Sequence, residues 1–122
     1  VVVEDLELCN LVESAQLVRK AIELKPKQPF YYNTLGVVLF YQNHLTEAEI
    51  AFNRSLELDT IAPASDWYFL SRIQYRHGNL QKAKELFQQA ESWRQTKRPQ
   101  DPELRLFSDE TRTEISAVFN SP

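Results

Sequence analysis

Residues 36–52, GVVLFYQNHLTEAEIAF, and residues 71–87, SRIQYRHGNLQKAKELF, write one pattern twice. Each begins on a small residue, Gly36 or Ser71, and ends on a phenylalanine, Phe52 or Phe87. Leu45 and Ala48 in the first answer Leu80 and Ala83 in the second. Moving outward, Tyr32 and Leu35 answer Trp67 and Leu70, and Ser55 answers Ala90. A partial third version lies upstream in Leu11, Ser14, Val18 and Ala21, so the pattern recurs at intervals of 34 and 35 residues. A fixed period of this size marks stacked supersecondary units, each too small to bury its apolar face alone.

The units read as helical. The apolar residues of 45–58 and of 80–93 are separated mostly by threes and fours, the spacing of one helix face. Gly36 and Gly78 are the only glycines, too few for a β protein with many turns, and the six prolines sit at punctuation points, the last of them the terminal Pro122. Tyr32, Leu35, Gly36 and Leu39 share a face of one helix, and Ala48, Phe52 and Ser55 form the facing stripe of the next. Small residues at 36, 48 and 55 let two backbones approach while Phe52 fills the space between them. Helices are predicted near 9–25, 30–43, 46–59, 65–77, 80–97 and 102–118.

Local signals mark several ends. Thr46 with Glu49 reads as a capping box and Leu45 with Ile50 as its hydrophobic staple. Gly78-Asn79 reads as a tight connection in which Gly78 takes a positive φ. Asp101-Pro102 reads as an N-cap followed by proline at the first helical position. Beyond it Leu104, Phe107, Thr111, Ile115 and Val118 form an apolar stripe. Glu103, Arg105, Asp109, Glu110, Arg112 and Glu114 are expected on the outer, solvated face of this terminal helix.

The aromatic, leucine, small residue, alanine and phenylalanine in this order and period resemble the tetratricopeptide repeat (TPR) family. The resemblance covers roughly residues 9–97. It implies an all-α, helical-hairpin solenoid of about two and a half repeats with a C-terminal capping helix. In that division residues 1–27 are a partial first repeat, 28–62 and 63–98 are complete repeats, and 99–122 are the capping helix and tail. The chain departs from the family at Ser71 in the glycine position, Gln74 in the usual tyrosine position and Thr60 in place of the closing proline. The first unit keeps its second helix, and its first helix is either missing or reduced to VVVEDLEL. The order of units through DPELRLF is also similar to the C-terminal TPR tails of large multidomain bacterial proteins. Some of those carry Ser/Thr kinase or WD-repeat domains upstream.

Composition narrows the function. Hydrophobic residues at 43% and charged residues at 25% exclude global disorder, and a net charge of −3 with no basic stripe speaks against nucleic acid. No apolar run approaches the ~20 residues of a membrane span, so no membrane insertion is expected. Cys9 is the sole cysteine and forms no internal disulfide, which fits a reducing, cytoplasmic location. The chain contains no methionine, even at position 1, and so reads as a piece of something longer. His44 and His77 fall in short connections, and the sequence holds neither a metal-binding helix spacing nor a phosphate loop nor a nucleophile elbow. The expectation is a chain that is not an enzyme and takes no cofactor or metal. The acidic SDETRTE run is expected to be a solvated helix face.

What remains is surface. The resemblance assigns the concave face of a TPR stack to Phe30, Asn33, Val37, Phe40 and Tyr41 from the first complete unit. From the second it assigns Ser65, Tyr68, Arg72, Tyr75 and Arg76. The helical wheel places Asn33, Val37 and Phe40, and likewise Tyr68, Arg72 and Tyr75, beside the core stripe rather than on it. Tyr68 and Arg72 are therefore expected to be replaceable without loss of helix. Asn33 and Val37 stand where chaperone-binding TPRs should have a lysine and an asparagine, which speaks against a chaperone-tail receptor. The resemblance implies a non-catalytic protein–protein interaction module, a scaffold or peptide-binding segment. Its partner-binding groove would take a protein or peptide, acidic with an apolar anchor. The alternative is a structural cap packed on an upstream domain of the same chain, with the groove filled internally.

Overall fold

The computed structural model describes residues 2–120, with side chains from Asn10 to Asn120. Six α-helices carry these residues: α1 (Val2–Leu24), α2 (Pro29–Tyr41), α3 (Leu45–Glu57), α4 (Pro63–Arg76), α5 (Leu80–Lys97) and α6 (Pro102–Glu114). A short 3-10 turn, Ser116–Phe119, follows. No strand occurs among the described residues. The chain divides into two compact units at Thr60 and Ile61, the first holding α1 to α3 and the second α4 to α6 with the 3-10 turn.

In the first unit the α2–α3 hairpin closes on the predicted seam. Ala48, Phe52 and Ser55 are fully buried. A Cβ added at Gly36 would lie 2.7 Å from the Phe52 ring, so glycine is there because the aromatic leaves no room. The turn is made by Asn43, not by a glycine. With φ 63°, Asn43 lets its own N–H reach Phe40 O at 2.9 Å and the His44 N–H reach Leu39 O at 2.8 Å. These two bonds are the Schellman termination of a helix.

That turn overrules the predicted capping box. Helix α3 starts at Leu45 directly after the turn, His44 occupies the cap position without a side-chain bond, and Thr46 is already inside the helix. Ile50 is exposed, so the staple is not made either. The backbone of α1 runs back to Val2, so residues 2–8 continue this helix and are not a separate first helix. The Cys9 side chain lies outside the described residues.

The second unit repeats the hairpin with altered chemistry. Ala83, Phe87 and Ala90 are buried on α5. Ser71, in the glycine position, turns its hydroxyl to the Ala83 carbonyl at 2.6 Å, so its polar atom is satisfied inside the seam. Gly78 at φ 84° makes the same pair of terminating bonds, from its own N–H to Tyr75 O and from Asn79 N–H to Gln74 O. The Gln74 side chain in turn accepts from Asn79 Nδ2 at 2.7 Å, tying the helix to its turn.

Helix α6 begins as predicted: the Asp101 carboxylate accepts from Leu104 N at 3.0 Å, with Pro102 next. It ends earlier than predicted, at Glu114. From Ile115 the bonding tightens, with Val118 N–H to Ile115 O, which rotates the last residues faster than an α-helix would. Val118 is thereby buried, and Phe119 meets Phe87 edge-on at 5.7 Å. Tyr68, Phe87, Ala90, Leu104, Ile115 and Val118 belong to one core, against which Trp67, Tyr75, Trp93 and Phe107 pack.

Candidate partner-binding face

The residues expected on a concave face fall into two groups, one in each unit. On α2, Phe30 is 70% exposed and Tyr41 48%. They lie eleven residues apart, about three turns, and so on one side of the helix. Asn33 and Val37 between them are half-buried. Phe40 is buried and holds the Tyr41 ring in an edge contact at 5.4 Å.

On α4 the residues are engaged from within their own unit. Ser65 is buried and Tyr75 packs on the core. Tyr68 is fully buried, so it belongs to the core that the helical wheel sets it beside. Its hydroxyl donates to Glu91 Oε1 at 2.6 Å and accepts from Arg94 Nε at 3.1 Å. Burial, with the hydrogen bond to Glu91 added, pushes the Tyr68 phenol up to about 12. Arg72 donates from Nε to Glu114 Oε1 at 2.8 Å and reaches Glu110 at 3.4 Å. Arg76 binds both oxygens of Glu114, at 2.7 and 3.0 Å.

Glu91 is the centre of a second cluster. It accepts from Tyr68, from the Ser108 hydroxyl by a short bond, from Arg94 at 3.3 Å and from Arg112 at 3.0 Å. Burial alone would raise its carboxyl, but the bonds from Ser108, Tyr68 and Arg94 outweigh burial and hold it below the ordinary carboxylate range. At Glu114 burial is likewise outweighed, by the bonds from Arg76 and Arg72. Helix α6 is thus fastened to α4 and α5 by charge-assisted bonds above a shared apolar core.

This corrects the expected outer face of α6. Glu103, Arg105, Asp109 and Arg112 are exposed, Arg112 also reaching Glu91, but Glu110 and Glu114 turn to α4. Within the acidic run Ser108 and Thr111 are buried, and the Thr111 hydroxyl has no hydrogen-bond partner. Glu91, Arg94, Ser108 and Arg112 were not candidates from sequence. The phase of Glu91, four residues after Phe87 and next to Ala90, is the signal that marks it as inward-facing.

Among the described residues no three of His, Cys, Asp and Glu come together as metal ligands could, and no helix is long and apolar enough to cross a membrane. Two hairpins closed by a small-residue and phenylalanine seam, in one register, define a helical-repeat protein of the interaction-module class. Comparison with known families finds two matches to the tetratricopeptide repeat, over residues 29–60 and 67–97. The chain belongs to the TPR family. Its members are generally non-catalytic and commonly bind proteins or peptides. No curated protein matches the chain.

Proposed function

We propose that this chain is a non-catalytic protein–protein interaction module that meets its partner through the outer side of α2. The carrying observation is the pair of exposed aromatics, Phe30 and Tyr41, on one side of that helix. Large, stiff aromatic faces anchor partners at low cost in conformational entropy. The α4 positions serve a different end: Arg72 and Arg76 spend their charge on Glu114. A peptide or protein ligand is therefore selected for an apolar or aromatic anchor, and its acidity matters less than the two arginines alone would suggest.

The structural-cap reading has its own support, the burial of Phe40 and Tyr68. Peptide-array screening followed by titration separates the two. Under the interaction reading, Phe30→Ala and Tyr41→Ala each weaken a selected aromatic peptide by about tenfold, with little dependence on salt and no change in Tm. If no peptide binds while both substitutions lower Tm, the face is an internal contact and the cap reading replaces this one.

A further inference from the structure

Helices α1 and α3 both pack on α2, and between them, over α2, lies a cleft of about 360 Å³. Its floor and both walls belong to the first unit. Leu35 and Leu39 of α2 and Ala51 of α3 are its buried lining, with the half-buried Tyr32 beside them. The Tyr32 hydroxyl donates to Pro26 O at 2.8 Å, which fixes the ring. On the α3 wall Glu47, Ile50 and Arg54 are separated by three and then four residues, so one face of that helix lines the cleft. Ile50 is 65% exposed, whereas the other exposed residues of α3, Thr46, Glu47, Asn53, Arg54 and Glu57, are all polar. Its equivalent on α5, 35 residues further on, is Glu85. Ile50 makes neither the staple nor a core contact, and instead carries the apolar floor out to the mouth of the cleft. Apolar linings with a few convergent charges are what small-molecule sites are made of.

We propose that this cleft binds a small amphiphilic carboxylate, a hydrocarbon chain with one acid group at its end. The charges select the head. Arg19 reaches Glu47 across the mouth at 3.5 Å, so these two cancel. Arg54, the third charged residue of the lining, leaves the cleft one positive charge. Its guanidinium lies 5.8 Å from the centre of the Tyr32 ring, at the edge of the apolar floor. It also bonds Glu57, outside the lining, at 3.1 Å. Both side chains of that pair are exposed, 44% and 65%, so water and salt weaken it and a ligand carboxylate exchanges for Glu57. The wall selects the tail. Glu47 and Arg54 stand seven residues apart on α3, about 10 Å, the reach of an extended octanoate chain. The chain lies along Leu39, Leu35 and Ile50, and the acid group meets Arg54 in a charge-assisted bond. Tyr32, Leu35 and Leu39 face the opposite side of α2 from Phe30 and Tyr41, and the proposal does not rest on the reading of those two aromatics.

The test titrates octanoate into the isotope-labelled chain and follows backbone amide shifts by NMR, with octylammonium in a parallel series. Saturable shifts at Leu35, Leu39, Ile50 and Ala51 are expected, with a Kd below about 1 mM and octylammonium at least about tenfold weaker. Ile50→Glu, which writes the second repeat's residue into the first, should weaken octanoate at least about tenfold. It should keep the parent Tm, since Ile50 lies largely in solvent. Arg54→Gln should abolish the preference for octanoate over octylammonium. Glu57→Gln should tighten octanoate about threefold, because the acid that competes for Arg54 is gone. Phe30→Ala should leave it unchanged, which keeps this site distinct from the outer side of α2. No saturable shift, equal binding of octylammonium to the parent, or octanoate binding that survives Ile50→Glu overturns the proposal.

Discussion

The α2–α3 and α4–α5 hairpins close the same seam by different means. In the first, Gly36 lets the backbone come up to the Phe52 ring. In the second, Ser71 occupies the same register and bonds the Ala83 carbonyl. Their turns are equivalent too, although one uses Asn43 and the other Gly78 at positive φ. The flanks are where they part. The α4 flank is taken by α6 through Glu110 and Glu114, while the α2 flank shows Phe30 and Tyr41 to solvent. Register determines the seam, and the charges carried by the neighbouring helix determine what becomes of the flank.

Acid is expected to separate the two hairpins most. Glu91 and Glu114 both ionise below the ordinary carboxylate range in the folded chain. Their contribution is complete above that range and is lost as pH falls through the lowered folded values. Amide exchange in α4 to α6 should therefore rise on acidification before exchange in α2 and α3, whose Glu47 and Glu57 are exposed. Glu114→Gln should narrow the acid-dependent fall in Tm. Simultaneous loss of protection in both hairpins would erase the distinction.

Glu91→Ala removes the acceptor shared by Tyr68, Ser108 and two arginines, and should destabilise the chain by about 3 kcal/mol in urea unfolding. Gly36→Ala should cost about 2 kcal/mol, because the buried Phe52 ring has little space to yield. Ser71→Ala, at the same register, should cost only about 1 kcal/mol for one lost hydrogen bond. Equal values for these two would mean that the seams are not the different structures described. The smallest effect should be a gain. Thr111→Val replaces a buried, unpartnered hydroxyl with a methyl group and should stabilise by about 0.5 kcal/mol.

The seam was legible because burying a phenylalanine between two helices demands small residues at fixed intervals, and residues 36, 48, 52 and 55 state that demand directly. The start of α3 was not. Thr46 and Glu49 satisfy a local capping rule, but the Schellman turn at Asn43 puts the cap at His44, two residues too early for it. Hydrophobic periodicity treats every charge as solvated and so assigns Glu110 and Glu114 to the outside. Their spacing of four matches that of Arg72 and Arg76, a complementarity present in the sequence that single-helix reasoning does not compare. The tightening after Ile115 carries no glycine or proline to announce it. It comes from packing, as Val118 and Phe119 settle on α5.

The Tyr68 hydroxyl, held between Glu91 and Arg94, sets an alkaline limit as well. A phenol whose folded value is raised to about 12 contributes stability that is whole below the ordinary tyrosine value and disappears as pH climbs to the raised one. Beyond it a phenolate would face the Glu91 carboxylate inside the core, and the grip on Ser108 of α6 would fail. Ionised tyrosine absorbs in the near ultraviolet where the neutral ring does not, so this one side chain doubles as an optical gauge. Delayed absorbance from Tyr68 in an alkaline titration reads out, without any label, how long the last helix stays in place.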